Sequence, residues 1–296
     1  MWVRGLVGAV LATGCFLKPG APGTASGDDD GGIDGRYPEA FGAFGIPRSL
    51  SQLHPVEANE YFDTAPFVYD GERELFFSST RGNTGFQRLY VATIGMSGDF
   101  ENPVPVFLGS GVDDSQKDGT ITRDGKDLYF FTSINVRQHL HRDAVGGTWT
   151  LAGDAPAIHA IGPVDFGADD LRIVSGSTSD AASPTSEIVE SRRTALGQTW
   201  STPVPVGLHA GPIGGETAPT LSTDGLEMFY EDGDSNTFET WRAVRTALDQ
   251  PFTGTLFTLG SYAHIGDAEL SPNGQNLYFA ALNPLLQLYV VHRDPL

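Results

Sequence analysis

The sequence predicts an all-β fold, and three observations carry that prediction. A turn dipeptide recurs at Asp70-Gly71, Asp124-Gly125, Asp169-Asp170, Asp224-Gly225 and Asn273-Gly274, spaced by roughly 50 residues. Each turn is followed by a short run rich in aromatic and β-branched residues, a composition that suits strands buried on both faces. Nowhere do apolar residues recur at the period of a helix.

The elements follow in order within each repeat. TAPFVYDGERELFFSS (64–79) and TAPTLSTDGLEMFYEDG (217–233) show a strand, a tight turn and a second strand. Gly accepts positive φ and Asp or Asn tolerates it, which is why Asp-Gly and Asn-Gly close short hairpins. The third turn departs, with Asp170 in place of Gly. The second strands are ELFFSS (74–79), DLYFFTS (127–133), LRIVSGS (171–177), LEMFYED (226–232) and NLYFAAL (276–282). Third strands follow at RLYVATI (88–94), RQHLHRDAV (137–145), SEIVESRRT (186–194), ETWRAVRTA (239–247) and QLYVVHR (287–293). Fourth strands are read at NPVPVFLG (102–109), TWTLAG (148–153), TWSTPVPVGLH (199–209) and FTGTLFTLG (252–260), where proline suits an outer edge.

Four antiparallel strands per repeat indicate a β-propeller. Five four-stranded blades are counted, and a sixth, too degraded to read, stays open. The fifth repeat ends after its third strand, at Arg293. RSLSQLHPVEANEYFDTAP (48–66) parallels PVPVGLHAGPIGGETAP (203–219), so residues near 48 to 56 are expected to supply the missing outer strand and close the ring. The propeller domain is assigned to residues 46–296.

The runs APTLSTDGLEMFY, DTAPFVYDGERELFFSSTRGNTGFQRLYVATI and AELSPNGQNLYFAA resemble the TolB-type propeller repeat over about residues 60 to 296. The resemblance implies a fold and no particular activity. Such repeats occur in bacterial envelope lipoproteins, in the TolB component of the Tol system and as domains attached to peptidases.

The N-terminus, MWVRGLVGAVLATGC, has Arg4, a short apolar stretch from Leu6 to Ala12, and the only cysteine, Cys15. This is the layout of a secretory signal. A lone cysteine at the end of the apolar stretch resembles the bacterial lipoprotein signal, which implies a signal peptide over 1–14 and lipidation at Cys15. Phe16, rather than Asp, after the cysteine resembles the sorting pattern for outer-membrane delivery. Residues 15–45 are rich in Gly, Pro, Ala and Asp and read as a flexible tether. With one cysteine, no intrachain disulfide forms. The formal net charge of −19 argues against nucleic-acid binding, because it repels phosphate.

Candidate site residues cluster in the predicted loops of one propeller face. His54 and His209 end fourth strands, and His159 and His264 precede inner strands. Asp63, Asp118, Glu216 and Asp267 open the innermost strands. These eight residues are expected near one mouth of the axial channel. Histidine beside carboxylate suits ligand binding, a bound metal ion or acid–base chemistry. The structural alternative is that each carboxylate accepts neighbouring backbone N–H groups. Arg81 and Arg137 stand in second-to-third-strand loops, placed to bind a carboxylate or cap a turn. Asp232-Gly-Asp234-Ser-Asn236 alternates oxygen ligands, but Thr237 and Ala243 stand where a calcium loop needs Gly and Glu. There is no Gly-x-Ser-x-Gly elbow and no phosphate loop.

Two classes of function are compatible with this pattern. One is a non-enzymatic, envelope-tethered, monomeric binding module without a cofactor, presenting an acidic face to a protein, a peptide or a glycan. The other is an enzyme. A glycoside hydrolase-like propeller would use Asp63, Asp118 and Glu216 as base, modulator and acid. A metal-dependent hydrolase or lyase would use the histidines.

Overall fold

The structure is a computed structural model that describes residues 41–53, 62–81, 86–107, 115–132, 137–154, 164–167, 169–178, 186–196, 198–208, 215–234, 237–260, 262, 265–282 and 286–296. It contains five four-stranded antiparallel sheets, the five blades of a β-propeller. Blade I holds β2 (Asp63–Phe67), β3 (Glu74–Ser79), β4 (Arg88–Ile94) and β5 (Phe100–Pro105). Blade II holds β6 (Lys117–Ile121), β7 (Asp127–Phe131), β8 (Arg137–His141) and β9 (Thr150–Asp154). Blade III holds β10 (Val164–Phe166), β11 (Arg172–Thr178), β12 (Ser186–Arg192) and β13 (Val204–Pro205). Blade IV holds β14 (Thr217–Leu221), β15 (Glu227–Asp234), β16 (Thr237–Val244) and β17 (Thr253–Leu256). Blade V holds β18 (Ile265–Leu270), β19 (Asn276–Leu282) and β20 (Leu286–His292), with β1 (Arg48–Ser49) as its outer strand. Among the described residues the only helical turn is a 3-10 turn at Ser51–Leu53, and no helix is long and apolar enough to cross a membrane.

The N-terminal segment closes the ring as its sequence predicts. Arg48 pairs with Val290 and Ser49 with Tyr289. The N–H groups of Gly42, Gly45 and Leu50 donate to the carbonyls of Asp294, His292 and Leu288 at 2.8–2.9 Å. Leu50 and Leu53 are fully buried between blades I and V, against Leu75, Phe77, Phe100, Tyr278 and Leu288. Burying each leucine contributes about 1.5–3 kcal/mol, so the closure is hydrophobic as well as hydrogen-bonded.

Turn chemistry recurs as the sequence implies. Thr122, Ser222 and Ser271 each donate a hydroxyl to Asp124, Asp224 or Asn273 two residues on, at 2.6–2.7 Å. Gly125, Gly225 and Gly274 follow at φ of 70° to 72°. In blade III the left-handed position falls on Asp170, φ 52°. That residue is retained by its contacts: its carboxylate accepts the Arg123 N–H at 3.1 Å and its carbonyl accepts Arg193 Nε at 2.8 Å.

A second repeat signature joins turns to outer strands. Just after each third strand of blades II to V stands Arg142, Arg193, Arg245 or Arg293, whose Nε donates to the carbonyl of Gly125, Asp170, Gly225 or Gly274 at 2.6–2.8 Å. Each guanidinium lies over an aromatic ring: Trp149, Trp200, Phe252 and Phe41, at 4.1–4.5 Å. Phe41 comes from the N-terminal segment, so that segment supplies blade V with an aromatic cap as well as a strand.

Candidate functional site

The inner strands β2, β6, β10, β14 and β18 line the axis. Four of them carry a register shift against their second strand. At that irregularity Ala65, Asp118, Ala218 and Asp267 take φ of 45° to 49°, a costly conformation for a residue with a Cβ. The ring of strained residues borders a cavity of about 30 Å3, also lined by Gly119, Val164 and Ala268. It has room for one or two waters.

The structure separates the four described carboxylates into two kinds. Asp118 and Asp267 lie on the axial cavity. Burial raises the pKa of Asp118, opposed by Lys117 and Arg137. Asp267 accepts the Ala65 N–H at 3.2 Å; burial and then the charge of Asp118 push it up to about 6. They are joined by Glu231 of β15, which accepts the Asp267 N–H at 2.5 Å. Burial, then the charge of Asp267, pushes Glu231 up to about 8. The sequence reading missed Glu231 because it follows the apolar run of a second strand. Its signal is the acidic pair Glu231-Asp232 directly after MFY, still within a second strand.

Asp63 and Glu216 stand two residues before the strained position and have other partners. Asp63 is fully buried and pairs with Arg81 Nη2 at 2.6 Å. Arg81, read from sequence as a residue to bind a carboxylate or cap a turn, pairs with one within its own blade. Glu216 accepts the Ile188 N–H at 3.0 Å, bridging blade IV to β12 of blade III. Burial pushes it up to about 7; the Ile188 N–H opposes this, and Asp232 and Glu187 add to it. Asp232 itself is buried within β15 and accepts the Gly215 N–H at 3.3 Å. Gln116 plays the part of Glu216 at the I/II seam, accepting the Leu89 N–H of blade I at 3.4 Å.

Further along the inner strands the centre is crossed by one arginine. Arg123 is buried and donates to the Phe166 carbonyl from Nε at 3.1 Å and to the Leu221 carbonyl from Nη2 at 3.3 Å. Asp165 lies 3.6 Å from it and accepts the Leu221 N–H at 2.7 Å. Burial raises both Asp165 and Glu269, with Arg123 opposing the shift in each.

His54, His159, His209, His264 and Cys15 lie outside the described residues. Among the described residues no three His, Cys, Asp or Glu side chains are grouped so as to hold a metal ion. His139 and His141, which the sequence reading passed over, share one carboxylate oxygen of Asp127 at 2.7 and 2.8 Å.

No protein-family model and no curated protein sequence matches the chain. Solved structures do, in fold. The GH43_1 enzyme from Xanthomonas citri complexed with xylose is similar over 84% of this chain and 90% of its own, at 13% identity and a TM-score of 0.59. The RS223 β-xylosidase is similar over 84% and 98%, at 11% identity and a TM-score of 0.58. TolB from Acinetobacter baumannii is similar over 78% of this chain at 12% identity and a TM-score of 0.47, and the match spans 54% of TolB. Identities this low establish a shared β-propeller architecture and nothing about chemistry.

Proposed function

We propose that the chain is a binding propeller of the bacterial envelope, lipid-anchored through Cys15, that presents its acidic axial face to a protein, a peptide or a glycan. The observation that carries this reading is the size and occupancy of the axis. Among the described residues the axial cavity is about 30 Å3, far below the roughly 300 Å3 of ordinary ligand pockets. Two of the carboxylates that catalysis would require, Asp63 and Glu216, are 0% and 3% exposed and already hydrogen-bonded. The lipoprotein reading rests on the N-terminal sequence and the TolB-type repeat. The test is photo-crosslinking in intact cells from residues of the axial face, such as Lys117. Recovery of a defined envelope component supports the reading. Labelling no stronger than from an outer-strand position overturns it.

A glycosidase is the second reading, and one observation favours it. Burial pushes Glu216 up to about 7, toward the range a general acid needs at neutral pH. The same fold serves the xylose-bound and xylosidase structures above. Turnover of aryl xylosides or arabinosides that Glu216→Gln abolishes would establish it; equal background rates for both proteins would remove it.

A further inference from the structure

At two seams the arginine after a third strand meets the carboxylate that opens the second strand of the blade before it. Arg142 Nη2 lies 2.6 Å from Glu74 Oε2 at the I/II seam, and Arg293 Nη2 lies 2.5 Å from Glu227 Oε2 at the IV/V seam. At the III/IV seam the arginine is Arg245, but the residue opening β11 is Arg172. A charge swap within blade III is responsible. Blade IV pairs Glu227 of β15 with Arg242 of β16, whereas blade III pairs Arg172 of β11 with Glu190 of β12.

The III/IV seam therefore lacks its carboxylate. Glu190 serves three guanidiniums, with Arg172 at 3.2 Å, Arg245 at 3.6 Å and Arg192 in contact. Arg172 and Arg245 both flank Gly225, where an added Cβ would meet Arg172 Nη1 at 2.2 Å and Arg245 Nη2 at 3.4 Å. Arg172 Nε and Arg245 Nη2 both rely on Glu190, and the Arg245 side chain is only 4% exposed. Burial lowers the pKa of Arg245; Glu190 opposes this, and Arg172 and Arg192 lower it further. Beside the cluster opens a groove of about 520 Å3, within the range of small-molecule sites. Its walls include Val204, Pro205, Leu248 and Pro251, with Asp249 also on the lining. Three arginines against Glu190 and Asp249 leave this spot positive in a chain of net charge −19.

We propose that this groove binds an organic anion. Its carboxylate or phosphate lies against Arg245 and Arg192, the two arginines on the lining, and its apolar part lies along Val204, Pro205 and Pro251. Guanidinium is the group best matched to such oxyanions, and three guanidiniums sharing the one Glu190 carboxylate favour a second anion.

The test titrates the full-length chain with hexanoate, inorganic phosphate and hexanol by calorimetry in a phosphate-free buffer. Hexanoate is expected to bind saturably, phosphate at least tenfold more weakly, and hexanol not at all. Arg172→Glu restores the carboxylate found at the I/II and IV/V seams, so it should raise the melting temperature and weaken hexanoate at least tenfold. Arg192→Gln, at a side chain 56% exposed, should weaken hexanoate several-fold and leave the melting temperature unchanged. Absence of hexanoate binding, equal binding of hexanol, or undiminished binding by folded Arg172→Glu overturns the site. Phosphate as tight as hexanoate overturns the apolar contact.

Discussion

Replacing Glu231 by Gln should stabilise the propeller above neutral pH and flatten its pH profile. Burial and the neighbouring Asp267 raise Glu231 from 4.5 to about 8. The folded state thus holds a proton that the unfolded state has released between those values, and stability falls as pH rises through the window. A shift of this size corresponds to about 5 kcal/mol if assigned to Glu231 alone. Asp267 shares the repulsion, so a loss of about 2–4 kcal/mol between pH 5 and 8 is the working figure. Gln keeps a carbonyl oxygen to accept the Asp267 N–H and removes the charge. Urea unfolding, followed by tryptophan fluorescence at pH 5, 6.5 and 8, measures both proteins. The gap between their midpoints should be small at pH 5 and widest at pH 8, with the variant more stable. Midpoints that move in parallel across the three pH values would refute the account of a strained axial carboxylate pair.

Arg123→Met removes the cation that faces Asp165 and Glu269 and should cost about 3–5 kcal/mol in urea unfolding at pH 7; a loss under about 1 kcal/mol would mean the buried acids do not depend on it. Leu50→Ala, in the closing segment, should cost about 2–5 kcal/mol, and an equal cost from the exposed Ile46→Ala would show that the segment's burial is not what holds the ring.

The fold was legible because each blade repeats its local chemistry. ELFFSS, RLYVATI and NLYFAAL mark β3, β4 and β19 at their observed bounds, since aromatic runs flanked by turn residues leave little freedom. Outer strands were read too long: TWSTPVPVGLH keeps only Val204–Pro205 as strand, because proline removes ladder donors. The candidate site was legible only in part. Asp63, Asp118, Glu216 and Asp267 all open inner strands, yet a shift of two residues relative to the strained position decides which reach the axis. That offset is a backbone irregularity, and no side-chain pattern announces it. The arginine that caps each turn had a signal that went unread: Trp149, Trp200 and Phe252 each follow Arg142, Arg193 and Arg245 at the same interval.

The seam that closes the ring also fixes an order of events during synthesis. β1 emerges from the ribosome early, but its partner Val290 lies at the far end of the chain. Blades I to IV can each pair their strands as they appear, since every one of those pairings is local. Blade V cannot. Leu50, Leu53 and Phe41 must wait exposed, or be held by something else, until β20 is made. The first part of the body to be translated is therefore the last to find its place, and a nascent chain stalled before β20 would carry an open sheet edge and an uncovered apolar patch.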